Sequence, residues 1–356
     1  MNKLSQLKNT LQAEGLDALL IAKPTNRRYL SGFTGTSGML LITPEANLLL
    51  TDFRYKDQAA QQAPEFQIVI HSFPLVKTLQ ELVTKYEVKK LGLEKEFITI
   101  AVYQELHENL PGVDLVPVKD FCAELRYIKT PEEITYMKKA VEIADKAFLH
   151  IMDFIRVGLS EKEIALELEF FMRRLGSEKN AFDIIAASGV RSSLPHGIAT
   201  NKTIAPGELV TLDFGAVYNG CHSDMTRTVV MGEPDARQRE IYDLVLRAQE
   251  EVYKVIRPGM KAREADAVAR DIISKAGYGE NFGHGLGHGV GLEIHEGPRL
   301  APSDETILEP GMVVSVEPGI YLSGWGGVRI EDLVVITPDG CEILTKSPKN
   351  IFLMKK

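Results

Sequence analysis

The chain has 356 residues, of which 44% are hydrophobic and 25% charged, with 49 acidic side chains against 41 basic ones and a net charge of −8. The length predicts two domains rather than one core, and the acidic balance argues against nucleic acid as a partner, since that requires a basic face. No apolar run reaches the roughly 18 to 20 residues of a membrane span, and Cys122, Cys221 and Cys341 are odd in number and in no C-x-x-C pair, which indicates neither a disulfide framework nor a thiolate metal site.

The opening stretch MNKLSQLKNTLQAEG predicts a polar amphipathic helix without the apolar core of a signal peptide, so a cytoplasmic enzyme is the simplest class. Up to about residue 125, short apolar runs (ALLIA, MLLIT, LLLTD, QIVIH) alternate with helical stretches such as Leu75 to Tyr86, which predicts an α/β domain with a largely buried sheet. It has no phosphate-binding glycine fingerprint, and no nucleotide is expected there. A boundary near Arg126 separates residues 1–125 from 126–356. Thr130, Pro131 and Glu133 are the cap, first-turn proline and capping-box glutamate of a helix reaching about Arg156. Ser160 and Glu163 start a second helix that stops at Gly176.

The second part repeats itself. Ile155-Arg156-Val157-Gly158 returns as Ile256-Arg257-Pro258-Gly259, Glu163 as Glu264 and Gly176 as Gly277, all at an offset of 101 residues. Such a register marks an internal duplication, and two related halves naturally leave a cleft between them.

Chemistry gathers in three stretches. In LVTLDFGAVYNGCHSDMTRTVV, Asn219-Gly220 is the dipeptide of a type I′ hairpin turn. Counting outward pairs Tyr218 with Cys221, Asp213 with Thr226 and Gly215 with Asp224, which makes Asp213 and Asp224 diagonal neighbours about 7 Å apart. Carboxylates that close repel unless cations or protons intervene. MVVSVEPGIYLSGWGGVRIEDLVVI is a second hairpin that carries Glu317 and Glu331, with Arg329 on the face of Glu331 and Asp332 on the other. Between them lies FGHGLGHGVG, residues 282–291. Its spacing fits neither phosphate-loop pattern. As a helix, its five glycines would cost about 4 to 5 kcal/mol relative to alanine. An extended strand remains, with His284, Leu286 and His288 on one side and a bare face that admits backbone or ligand.

Asp213, Asp224, His288, Glu317 and Glu331, in the contexts TLDFGA, HSDMTRT, GHGLGHGVG, SVEPGIY and VRIED, resemble the five metal ligands of the dinuclear peptidase family of methionine aminopeptidase, aminopeptidase P and prolidase. The resemblance covers residues from about 130 to 350. It implies an α/β two-domain protein: a creatinase-like N-terminal α/β domain and a duplicated α+β "pita-bread" catalytic domain. It also implies that Asp224 and Glu331 bridge two metals, that Asp213 completes one and that His288 with Glu317 completes the other. A bridging water then becomes the nucleophile and one metal polarises the scissile carbonyl. Four carboxylates balance two divalent cations, and oxygen-rich ligation suits Mn²⁺, with Co²⁺ or Zn²⁺ as alternatives.

Further roles follow, those of His196 and His295 from the same resemblance and the others from the residues themselves. His196, in a P-H-G loop, contacts substrate; His295 contacts substrate and stabilises the tetrahedral intermediate; His284 either takes part or fills space beside the metals. Arg329 is expected to orient Glu331, and Arg299 either anchors a substrate carboxylate or caps its loop. Cys221 and His222 read as structural, and Trp325 as packing. The N-terminal domain, with TNRRYLSGFTG and TDFRY, separates the chain from methionine aminopeptidases, and the complete ligand set separates it from creatinase. The expected activity is hydrolysis of the Xaa-Pro bond in small peptides with proline second, as a homodimeric Xaa-Pro dipeptidase. Aminopeptidase P acting on longer peptides is the alternative, and a silent homologue that binds a protein partner is a remote one.

Overall fold

Leu4, Leu7 and Leu11 form the buried face of α1 (Lys3–Ala13) in the computed structural model, which describes residues 3–349. The chain divides into two compact units, Met1–Arg126 and Tyr127–Lys356. The first continues with β1 (Ala18–Ile21), α2 (Pro24–Ser31), β2 (Met39–Ile42), β3 (Asn47–Thr51), α3 (Lys56–Gln62), β4 (Gln67–Ile70), α4 (Leu75–Lys85), β5 (Lys90–Glu94), α5 (Ile100–Asn109), β6 (Asp114–Val118) and α6 (Phe121–Leu125). Its six strands make one mixed sheet in the order β4-β3-β2-β1-β5-β6. The uninterrupted apolar runs lie in the middle, where β1, β2 and β3 are almost wholly buried, while β4 at the edge is half exposed. Pro117 sits in the other edge strand, where a missing N–H is tolerated. The phrase TNRRYLSGFTG serves structure here: Arg27 donates to the carbonyls of Gly35 and Gly38, and buried Glu94 accepts from Asn26 and from the amides of Ala22 and Lys23.

The second unit contains α7 (Pro131–Phe154), α8 (Glu161–Arg174), β7 (Ile185–Ser188), β8 (Leu209–Phe214), β9 (Val217–Tyr218), β10 (Cys221–His222) and β11 (Met225–Val230). It then repeats the plan with α9 (Ala236–Val255), α10 (Ala262–Lys275), β12 (Gly287–Gly289), β13 (Glu296–Leu300), β14 (Val313–Val316), β15 (Gly319–Leu322), β16 (Gly326–Arg329), β17 (Asp332–Thr337) and β18 (Gly340–Ile343). Ile143, Phe148, Leu168 and Met172 of the first helix pair pack on Leu212, Phe214 and Val229 of the sheet β11-β8-β7. Ile241, Val245, Ala265 and Ile273 of the second pair pack on Val314, Val316 and Val334 of the sheet β13-β12-β14-β17-β18. No helix among the described residues is long and apolar enough to cross a membrane.

The two halves agree in detail. Both I-R-x-G turns use a glycine at positive φ, 91° at Gly158 and 84° at Gly259. Each glycine N–H reaches forward to a later carbonyl, Gly158 to Ile204 and Gly259 to Leu308, both at 2.9 Å. The helices α8 and α10 are 14 residues each. Beyond them the offset grows to 104, so that APGELVTLDFG at 205–215 meets EPGMVVSVEPG at 309–319 and Asp213 corresponds to Glu317.

Both hairpins are interrupted. In the first, Tyr218 faces Cys221 and Asp213 faces Thr226 across a turn with positive φ at Asn219 (45°) and Gly220 (73°). Strand pairing lapses between β8–β11 and β9–β10, and Asp224 sits in that gap. In the second, β14 pairs with β17 and β15 with β16, leaving Glu317 and Glu331 in the gap. The glycine segment is less regular than the expected long strand: β12 spans three residues, and Leu286 turns into the core rather than sharing a side with the two histidines. Its bare face meets backbone. A Cβ on Gly287 would lie 2.0 Å from the Ser315 carbonyl oxygen, and one on Gly289 2.1 Å from that of Gly297.

Candidate metal centre

The two hairpin gaps and β12 open on one cleft of about 820 Å³ in the second unit. Asp213, Asp224, His288, Glu317 and Glu331 line it, together with His196, His284, His295, Arg299 and Arg329. Asp224, His288 and Glu331 each offer a donor atom within 4.8 Å of the others. His288 Nε2 lies 3.6 Å from Asp224 Oδ2 and 3.3 Å from Glu317 Oε1. Its Nδ1 is 3.1 Å from the Gly289 carbonyl oxygen, which can only accept, so Nδ1 keeps its proton and Nε2 is the atom aimed at the carboxylates.

Charge is unbalanced here. Four buried or nearly buried carboxylates face one guanidinium, Arg329, leaving three negative charges for other cations to meet. Without metal, protons take that place. Burial and Asp213 push the Asp224 carboxyl well above its usual range, and burial and Asp224 do the same to Glu331. Burial would lower His288, but Glu317 and Asp224 outweigh it and raise the imidazole to about 9. Burial would raise Glu317, but the hydrogen bond and charge of His288 hold it at about 2. Asp213 Oδ1 and Glu331 Oε1 are buried without a hydrogen-bond partner. Such orphaned acceptors are costly unless a cation meets them, and this donor set of carboxylate oxygens and one imidazole nitrogen fits divalent metal.

Three neighbours hold the carboxylates. Arg329 donates from Nη2 to Asp213 Oδ2 (2.6 Å) and from Nε to Thr226 Oγ1 (3.0 Å), and Thr226 Oγ1 donates to Glu331 Oε2 (2.7 Å). Arg329 therefore grips Asp213 directly and reaches Glu331 only through Thr226, because the strand breaks between them. Ser315 Oγ accepts from the His288 amide (3.0 Å) and donates to Glu317 Oε1 (2.9 Å). His284 Nδ1 donates to the Gly285 carbonyl (2.7 Å), so Nε2 accepts from Tyr321 Oη (2.9 Å), which accepts in turn from Arg329 Nη1 (2.8 Å). Burial lowers the pKa of His284 and raises that of Tyr321 to about 12. No local motif marks Thr226, Ser315 or Tyr321, since hydroxyl residues are ordinary in strands.

His196 stands exposed on the loop between β7 and β8, and the His295 ring meets that of His288 edge-on with centroids 4.4 Å apart. Partial burial and the charge of His288 lower the pKa of His295. Arg299 faces His288 across β13 and β12, its side chain exposed to the cleft and its amide bonded to Asp304 Oδ2 (2.8 Å). Phe182, Ile185, Ile198 and Ile294 supply an apolar wall. Trp325 packs against the second core under Arg237, 4.9 Å from its ring, and His222 Nδ1 bonds to the Gly291 carbonyl.

Residues 135–338 match metallopeptidase family M24, and residues 3–128 match the creatinase/prolidase N-terminal domain. The chain belongs to metallopeptidase family M24. This metallopeptidase is 42% identical over 351 residues to the Xaa-Pro dipeptidase of Pyrococcus furiosus, covering 98% of this chain and 99% of the relative. An Xaa-Pro dipeptidase structure from Bacillus anthracis matches it with a TM-score of 0.97 at 47% identity over 98% of each chain. An X-Pro aminopeptidase structure from Thermotoga maritima matches with a TM-score of 0.90 at 40% identity, over 97% of this chain and 99% of that one. The M24 metallopeptidase thus combines a creatinase-type N-terminal domain with a pita-bread catalytic domain, and its family membership implies divalent metal ions.

Proposed function

We propose that the chain is an Xaa-Pro dipeptidase that holds two divalent cations, Mn²⁺ before Co²⁺ or Zn²⁺. Asp224 and Glu331 would be shared between them, Asp213 would complete one set, and His288 with Glu317 the other. The observation that carries the reading is the cluster itself: two orphaned carboxylate oxygens and an imidazole nitrogen aimed at neighbouring carboxylates, in a chain aligned end to end with Xaa-Pro dipeptidases. When bound, the cations supply an acidified water and polarise the scissile carbonyl.

The chain's own side chains do the rest. Arg329 and Thr226 hold Asp213 and Glu331 in place, and Ser315 holds Glu317. His196 and His295 contact the substrate from the open side. His295, neutral at pH 7 by its lowered pKa, donates a hydrogen bond toward charge developing on the carbonyl oxygen. The proline nitrogen must gain a proton to leave. Arg299 pairs with the carboxylate of the departing proline. Its exposed side chain across from His288 supports that role over loop capping, which the Arg299 amide performs.

Assayed with Mn²⁺, Ala-Pro is expected to be hydrolysed and Ala-Pro-Ala much less so. Hydrolysis of the tripeptide alone would establish the second reading, aminopeptidase P, which the Thermotoga maritima neighbour supports. A cytoplasmic homodimer completes the proposal. Cys122 and Cys341, neither of them in a disulfide, agree with a reducing compartment, and light scattering on the purified chain checks the dimer.

A further inference from the structure

The loop 189–199, between β7 and β8, brings Pro195, His196 and Ile198 to the cleft, yet its regular structure is limited to a 3₁₀ turn at its start and a single β-bridge between Ile198 and Ile185. One side chain outside the cleft ties both of its ends. Glu161, the first residue of α8, is fully buried. Its Oε1 accepts from the Ser188 amide (2.8 Å) and hydroxyl (2.9 Å), immediately before the loop. Its Oε2 accepts from the Thr200 amide (3.0 Å) and hydroxyl (2.6 Å), immediately after it. Arg191 Nε, within the loop, reaches both oxygens at 3.2 and 3.1 Å, and its Nη2 donates to the Ile198 carbonyl (2.7 Å).

The duplication separates this task from helix initiation. At the matching position of the second half stands Ala262, yet α10 starts there as α8 starts at Glu161. The helix-start contacts are the same: Glu161 N–H bonds to the Lys202 carbonyl and Ala262 N–H to that of Thr306. The carboxylate is therefore superfluous to the helix and specific to the loop.

We infer that Glu161 is a positioning residue of the peptidase site, clamping the two ends of loop 189–199 so that His196 and Ile198 are presented to the substrate. This rests on the cleft being the peptide site proposed above. Glu161→Ala, which installs the residue that the second half tolerates, is compared with His196→Ala and the double variant on Ala-Pro with Mn²⁺. Glu161→Ala is expected to lower kcat/KM roughly tenfold to hundredfold, with metal content unchanged. The double variant should lose much less than the product of the two single losses, because both changes remove the His196 contact. Amide exchange of peptides covering 189–200 should speed up in Glu161→Ala while that of 165–174 stays as in wild type. Unchanged kcat/KM, losses that multiply in the double variant, or unchanged exchange in the loop would each overturn the assignment. A wild-type chain inactive on both Ala-Pro and Ala-Pro-Ala would refute the proposed function instead, and loop exchange would then decide the clamp by itself.

Discussion

At the scale of single residues, two of the carboxylates are held by hydroxyls, Glu331 by Thr226 and Glu317 by Ser315. Thr226 is the only link between Arg329 and Glu331 among the bonds described above, and its hydroxyl is wholly buried. Thr226→Val keeps the shape and removes the bridge, so kcat/KM is expected to fall about 10- to 100-fold with weaker metal retention, while Thr226→Ser stays near wild type. Equal activity in both variants would remove the bridge from the mechanism. Glu161 gives a pH signature. Burial would raise its carboxyl, but the bonds from Thr200 and Ser188 outweigh it and hold the carboxyl below its ordinary value. A carboxyl lowered by folding adds stability that is complete above its unfolded pKa, about 4.3, and is lost as pH falls through the folded value. Urea unfolding should therefore show a larger gap between wild type and Glu161→Ala at pH 7 than at about pH 3; an equal gap would mean the charge is irrelevant. That the five proposed donors line one cleft was legible because each stands in a distinctive local context. Thr226 and Glu161 were not, since their partners lie at least 103 and 27 residues away and only folding brings them together.

At the scale of elements, the tight fit of β12 between β13 and β14 makes a sharp contrast between neighbouring glycines. A methyl on Gly287 would meet backbone at 2.0 Å, whereas one on Gly283 meets nothing within 4 Å. Gly287→Ala is expected to lose about 3 kcal/mol or to fail to fold, and Gly283→Ala to stay within about 0.5 kcal/mol of wild type, as measured by chemical denaturation. Similar losses in the two would contradict the bare-face account of the glycine repeat. The hairpin turn at Asn219-Gly220 and its register could be counted from the sequence because turn type dictates pairing. The gap at Ile330-Glu331 could not, because VRIEDLVVI is a continuous run of strand-forming residues and the interruption is imposed by convergence on the cleft. The same cause shortened the expected strand at 284–290 and sent Leu286 to the core.

At the scale of the whole molecule, the donors come from both halves of the duplication: Asp213 and Asp224 from the first, His288, Glu317 and Glu331 from the second. On the proposed function, bound cations would cross-link the halves as well as serve chemistry. Mn²⁺ at a hundredfold excess over its Kd should stabilise the folded chain by about 2.7 kcal/mol, read as a rise in Tm that EDTA reverses. Asp224→Asn should show little of that rise and no peptidase activity while keeping its far-ultraviolet circular dichroism; a full Tm response in that variant would exclude Asp224 as a shared ligand. The duplication was legible across the helices, where a gap-free register holds. It faded at the strands, where the second half carries three more residues between helix and strand. The divergence at Glu161 and Ala262 extends this point. Two copies that fold alike in one chain amount to an experiment already run: each position where a buried charge survives in one copy and is replaced by a small side chain in the other shows what the common skeleton can do without. What was kept on one side alone is then a record of specialisation, readable within a single molecule and without any relative to compare it to.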